Sequence, residues 1–93
     1  YLLELVRTDS TMRPLQDADQ ADWDLVERGH YVSATGRLNT AMTVFERTGA
    51  HYLPVVKVGG EDAPSKIVGR LHEVDALRAY NKALSDAAEE EHS

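Results

Sequence analysis

Apolar side chains fall along this chain in two rhythms, and the changes of rhythm mark its elements. Leu38, Ala41, Met42 and Phe45 recur at i, i+3, i+4 and i+7. That spacing sets them on one helical face and predicts a helix from Leu38 to Thr48. Gly49 follows the last periodic residue, where a left-handed cap wants a residue without Cβ. Tyr52-Leu53-Pro54-Val55-Val56-Lys57-Val58 is rich in β-branched residues, closes on Gly59-Gly60 and reads as a strand. Pro54 lacks an N–H and so belongs near the start or edge of that strand. Beyond a polar loop from Glu61 to Ser65, Lys66 to Leu71 predicts a second strand, antiparallel to the first. Helical spacing then returns in Ala76, Leu77, Tyr80 and Leu84, with Lys82 and Asp86 set to pair at i, i+4 on another face. This helix is expected to fray near Ala87.

Ahead of these elements stands a brief β-prone segment, Tyr31-Val32-Ser33. The order is therefore strand, helix, strand, strand, helix: an α+β fold in which a small sheet packs on two helices across residues 31–87. The first thirty residues read as a leader and acidic linker. Leu2, Leu3, Leu5 and Val6 form an apolar patch of ambiguous period, and Arg13-Pro14 stops any helix begun there, so a short strand or turn of helix leading into a linker is expected. From Gln16 to Arg28 the chain carries Asp17, Asp19, Asp22, Asp24 and Glu27 around Trp23, and a solvated loop with one amphipathic turn, anchored by Trp23, is expected. Residues 88–93, with three consecutive glutamates, predict a mobile charged tail.

Composition narrows the partners. Ten basic against sixteen acidic side chains leave a net charge of -6, the wrong sign for the DNA or RNA backbone and for anionic lipid. The longest apolar run, Tyr52 to Val56, is far short of the roughly 20 residues that cross a bilayer. With no Cys, disulfides and thiolate metal sites are excluded, which fits a reducing compartment. Residue 1 is Tyr, so a piece of a longer polypeptide is expected. One small sheet and two helices bury little apolar surface, and packing against a second copy is the natural remedy.

Three stretches together resemble the CBS domain, the family named after cystathionine β-synthase. They are Leu38-Asn39-Thr40-Ala41-Met42-Thr43-Val44-Phe45, then Ala50-His51-Tyr52-Leu53-Pro54-Val55-Val56, and Ile67-Val68-Gly69-Arg70-Leu71-His72-Glu73-Val74-Asp75-Ala76-Leu77. Upstream, Thr11-Met12-Arg13-Pro14 is similar to the leader that often precedes such a unit. The family usually carries its units in tandem, whereas this chain has one recognisable copy, and Gln16 to His30 is an insertion relative to the usual leader. The closing run from Asp75 to Leu84 and the acidic end look most like the cytoplasmic tail of a bacterial ClC-type chloride channel or transporter. The resemblance thus implies a cytoplasmic regulatory module, tethered at the inner membrane face through a parent transport domain and paired with a second unit, as a homodimer or within one polypeptide.

What the resemblance implies at the site is an adenine nucleotide, ATP, ADP or AMP, held by the turn after the second long strand. Asp75 would accept hydrogen bonds from ribose hydroxyls, since a carboxylate is acceptor-only; equally, an Asp in a first helical turn complements the helix dipole. His72 stands where family members carry a phosphate-binding hydroxyl. It would donate one hydrogen bond, or else cap the helix and plug the pocket. Arg70 replaces an apolar position and either reaches an anion or is an exposed strand-edge arginine. Leu53, Pro54 and Val55 would line the ligand pocket or the core, and Ala41, Phe45, Leu77 and Tyr80 would be shared between core and dimer contact.

Catalysis finds no constellation here. His72-Glu73 begins a zinc-protease motif, but position 76 is Ala rather than the second ligand. There is no Gly-rich phosphate loop and no Gly-x-Ser-x-Gly elbow. Two functions remain open: a module that senses a nucleotide through Asp75, Arg70 and His72, and a ligand-free module that only joins subunits.

Overall fold

The structure, a computed structural model, describes residues 6–92, and the side chains of residues 6–86. The apolar patch expected at Leu2, Leu3 and Leu5 lies outside the described residues. A 3-10 turn at Thr8–Ser10 leads into β1 (Arg13–Pro14), α1 (Gln20–Glu27), β2 (Val32–Ser33), α2 (Leu38–Thr48), β3 (Tyr52–Lys57), β4 (Lys66–His72) and α3 (Glu73–His92). From β2 onward this is the expected β-α-β-β-α order.

Helix α2 has the bounds that its periodicity predicts, and it ends on Gly49 at φ 68, whose N–H donates to the Phe45 carbonyl. The strands form one mixed sheet in the order β1-β4-β3-β2. β2 runs parallel to β3, with Val32 opposite Val55, as a strand-helix-strand crossover requires. β3 and β4 are antiparallel, and the register skips Val68 between the pairs Val55–Gly69 and Val56–Ile67, a bulge in β4. Pro54 sits near the start of β3, ahead of the stretch that β2 reaches.

Residues directly opposite across a ladder share a face. Leu53 with Leu71, and Val55 with Gly69, therefore point to one side of the sheet; Tyr52 with His72, and Pro54 with Arg70, point to the other. On the first side α2 and α3 close the core, where Leu38, Ala41, Phe45 and Ala76 join Leu53, Val55 and Leu71 in one buried cluster.

Three expectations change. The acidic segment is a helix rather than a solvated loop. Asp19 caps α1 by accepting from the Asp22 N–H at 3.0 Å, and Asp22 returns a bond to the Asp19 N–H at 3.1 Å, a reciprocal capping box. Trp23 does not anchor it, being 37% exposed; the buried residue of α1 is Asp22. Within the leader, β1 adds to the sheet against β4, Arg13 facing Arg70 and Pro14 facing Gly69. Only a glycine allows that approach, since a Cβ at Gly69 would stand 2.7 Å from the Arg13 carbonyl oxygen and the Met12 sulfur. Finally, α3 continues to His92 rather than fraying near Ala87, because Ala87, Ala88 and the glutamates are good helix formers with no breaker among them. The disposition of the side chains in the expected mobile tail falls outside the described residues.

Candidate functional site

The residues that carry charge on the second face of the sheet converge at the end of β4. Arg70, expected to be free for an anion or exposed on an edge, is neither. It lies on an inner strand with its guanidinium spread on the Asp22 carboxylate, Nε to Oδ1 at 2.9 Å and Nη2 to Oδ2 at 2.7 Å. Asp19 adds a looser contact at 3.5 Å. The same guanidinium lies 5.5 Å from the centroid of the Tyr52 ring, within range of a cation–π contact. Two parallel charge-assisted bonds are the strong form of this pairing, and they act on a carboxylate with no exposed surface. The hydrogen bonds from Arg70 hold the Asp22 carboxyl below its ordinary range, against a desolvation that pushes the other way. Arg70 is held correspondingly above its own usual value, chiefly by its bond to Asp22.

Asp75, in the first turn of α3, is engaged as well. Arg13 of β1 donates from Nε to Oδ2 at 2.7 Å, and Arg78 stands at 3.9 Å from Oδ1. Its carboxyl is held low, first by the Arg13 hydrogen bond. His72, at the end of β4, lays its ring 5.7 Å from that of Tyr52 at a tilt of 30°. Burial, and then the positive charge of Arg13, lower its pKa, so the neutral imidazole is favoured. Position 72 is thus packed against an aromatic ring.

The sheet and the β4–α3 turn do bring Arg70, His72 and Asp75 into one neighbourhood, with Arg13 and Asp22 as their partners. Leu53 and Val55 are walls of the core and have no exposed surface, while Pro54 is fully buried on the other face of the sheet, opposite Arg70 in the ladder.

A second feature lies on the other side. Between α2 and α3 runs an open groove of about 630 Å³, bordered by Met42, Phe45, Leu77 and Tyr80, with Glu46 and Glu73 on its rim. Three of the four residues expected at a dimer contact border this groove. The fourth, Ala41, is 1% exposed and belongs to the core. Val74 and Leu84, which sequence reasoning did not select, are exposed large apolar side chains on the same helix as Leu77.

Sequence reasoning also missed Asp22, Arg13 and Asp19. The signal for α1 was present in Asp19-x-x-Asp22, an acidic variant of the capping pattern. Comparison with known proteins finds no matching family model, no matching curated protein and no matching solved structure.

Proposed function

We propose that this chain is a regulatory pairing module of the CBS type, which joins to a second copy of itself through the α2–α3 face and holds together the larger polypeptides that carry it. The observation that supports this most directly is the width of the apolar arc of α3. At about 100° per residue, Ala76, Ala79, Tyr80 and Ala83 span the sector turned to the core, while Val74, Leu77 and Leu84 occupy the adjoining sector of about 80°. These last three remain 55%, 43% and 45% exposed. A helix that serves only its own core has no use for this second sector.

The occupant is a second copy because the apolar sector is flanked by both signs of charge. Glu46 and Glu73 stand on the groove rim, and Arg78 and Lys82 lie beside the stripe on α3. A two-fold contact sets one surface patch against itself, so a patch with both signs can satisfy itself. Ligand-free pairing is favoured over nucleotide sensing because Asp22 and Arg13 already engage the groups that ATP, ADP or AMP would use, Arg70 and Asp75. In this reading the parent is a membrane transport protein and the module lies at its cytoplasmic side. Among the described residues no helix is long and apolar enough to cross a membrane.

Sedimentation velocity tests the pairing. The wild-type chain is expected to sediment as a dimer, and Leu77→Asp as a monomer with an unchanged circular dichroism spectrum. A wild-type monomer at high concentration, or a Leu77→Asp protein that still dimerises, overturns the reading.

A further inference from the structure

We infer that the side of α2 turned away from the pairing groove is a docking trough for an extended acidic peptide of a partner protein, held by Arg28, Arg37 and Arg47. The chain has seven arginines. Arg7, Arg13, Arg70 and Arg78 each stand between 2.7 and 3.9 Å from a carboxylate. The other three have no ion-pair partner among the described residues, and these three border two adjoining cavities.

One cavity, of about 350 Å³, lies between α2 and the segment from Gly29 to Ser33, with Arg37 and Arg47 on its border. The other, of about 360 Å³, shares Gly29 and Arg47 with the first and adds Arg28 and His30. Neither is lined by an acidic side chain, in a chain that carries sixteen. The trough is thus a cationic surface on a protein whose total charge is -6. Helix α2 sorts its charges accordingly. At about 100° per residue, Arg37 at its N-cap, Val44 and Arg47 share one sector of about 80°, while Met42 and Glu46 of the pairing groove fall on the opposite side.

Length and lining decide the class of ligand. The ten residues from Arg37 to Arg47 rise about 15 Å along the helix, a span that about four to five residues of extended chain cover. A single small anion does not reach both ends. Between the two guanidiniums Val32 and Val44 line the trough, which suits an apolar side chain flanked by acids. Each arginine offers parallel N–H groups that match a carboxylate. Nucleic acid is disfavoured by the total charge. A short peptide is not, because at physiological salt charges more than about 8 Å away are largely screened and the local sign governs. The chain's own acidic run, Glu89-Glu90-Glu91, belongs to α3 and is not an extended segment, so the occupant comes from another protein. The receiving backbone is held in advance: the Leu38 N–H donates to the Val6 carbonyl at 2.8 Å and the Thr8 N–H to the Gly36 carbonyl at 2.9 Å. Little ordering is then left to oppose binding.

Fluorescence anisotropy of a labelled Glu-Glu-Leu-Glu-Glu peptide, titrated with the full chain at low salt, tests this. Saturable binding is expected. Arg37→Gln and Arg47→Gln should each weaken it roughly threefold and together about tenfold, the scale of exposed ion pairs. Both side chains are exposed, so circular dichroism should stay that of wild type. Lys66→Gln, which removes a charge at the start of β4 and outside both cavities, should leave binding unchanged. No binding by wild type at millimolar concentration overturns the inference, and so does a loss in Lys66→Gln equal to that in Arg47→Gln. Changing Glu89, Glu90 and Glu91 together to Gln separates the sources: unchanged affinity supports a foreign peptide, and a tenfold gain assigns the trough to the chain's own acidic run and overturns the inference. Sedimentation of the Arg37→Gln, Arg47→Gln double variant reports separately on pairing and should remain that of wild type, because the groove lies on the other side of α2.

Discussion

Asp22 and Arg70 concentrate the energetics of the second sheet face at one contact. Removing one partner of a fully buried pair costs about 3–5 kcal/mol, and of a surface pair about 0–1 kcal/mol. Arg70 keeps 29% of its side chain exposed over a carboxylate that keeps none. Asp22→Ala is therefore expected to lower unfolding free energy by about 1–3 kcal/mol in urea titrations, between the two limits. The pH dependence has a definite sign. The folded-state pKa of Asp22 lies below its ordinary value of 3.8, so its contribution is complete above that value and is lost as pH falls through the folded pKa. Acid unfolding followed by circular dichroism should be steeper below pH 3.8 for wild type than for Asp22→Asn.

The elements differ in what holds them, and this decides which could be seen beforehand. Helix α2 was legible because its period and its Gly49 cap are local, and the left-handed φ of 68 there requires nothing from elsewhere in the chain. Helix α1 was not legible as a packed element, because its buried residue is a carboxylate whose partner lies 48 positions away. Five acids around one Trp look like a solvated segment until that partner is known. β1 was hidden for a similar reason: a two-residue strand ending in Pro has no pattern of its own and exists because Gly69 leaves room beside it. Gly69→Ala is accordingly expected to push β1 from the sheet. The measurement is hydrogen exchange at the Leu15 amide, which bonds to the Val68 carbonyl at 3.0 Å and should lose protection while the amides of β3 keep theirs.

The whole molecule is a sheet with unequal sides, a two-helix core on one face and a single ion-paired helix on the other. If two copies join along α2 and α3, folding is linked to association, and the melting temperature should rise with protein concentration. Differential scanning calorimetry across a wide concentration range checks this; a melting temperature independent of concentration argues against pairing. His72 adds a dependence in the near-neutral range. Burial lowers its folded-state pKa from the usual 6.5, so its contribution to stability is complete above that value and declines as pH falls toward the folded pKa. Wild type should lose stability to urea on passing from pH 7 to pH 5, and His72→Gln should lose less.

By itself the amino-acid sequence determined the run of elements from β2 to α3, because the apolar period and the turn residues that set them act over a few neighbouring positions. It also determined which apolar side chains are large enough to make a core. Only the tertiary structure decided that the acidic segment closes over Arg70, that Arg13 takes Asp75, and that Leu53 and Val55 are buried on one face of the sheet and Pro54 on the other. Each of these depends on residues far apart in the chain meeting across the sheet. Charge along a sequence shows how many partners are needed; which carboxylate faces which guanidinium follows from strand register and from the side on which a helix lands.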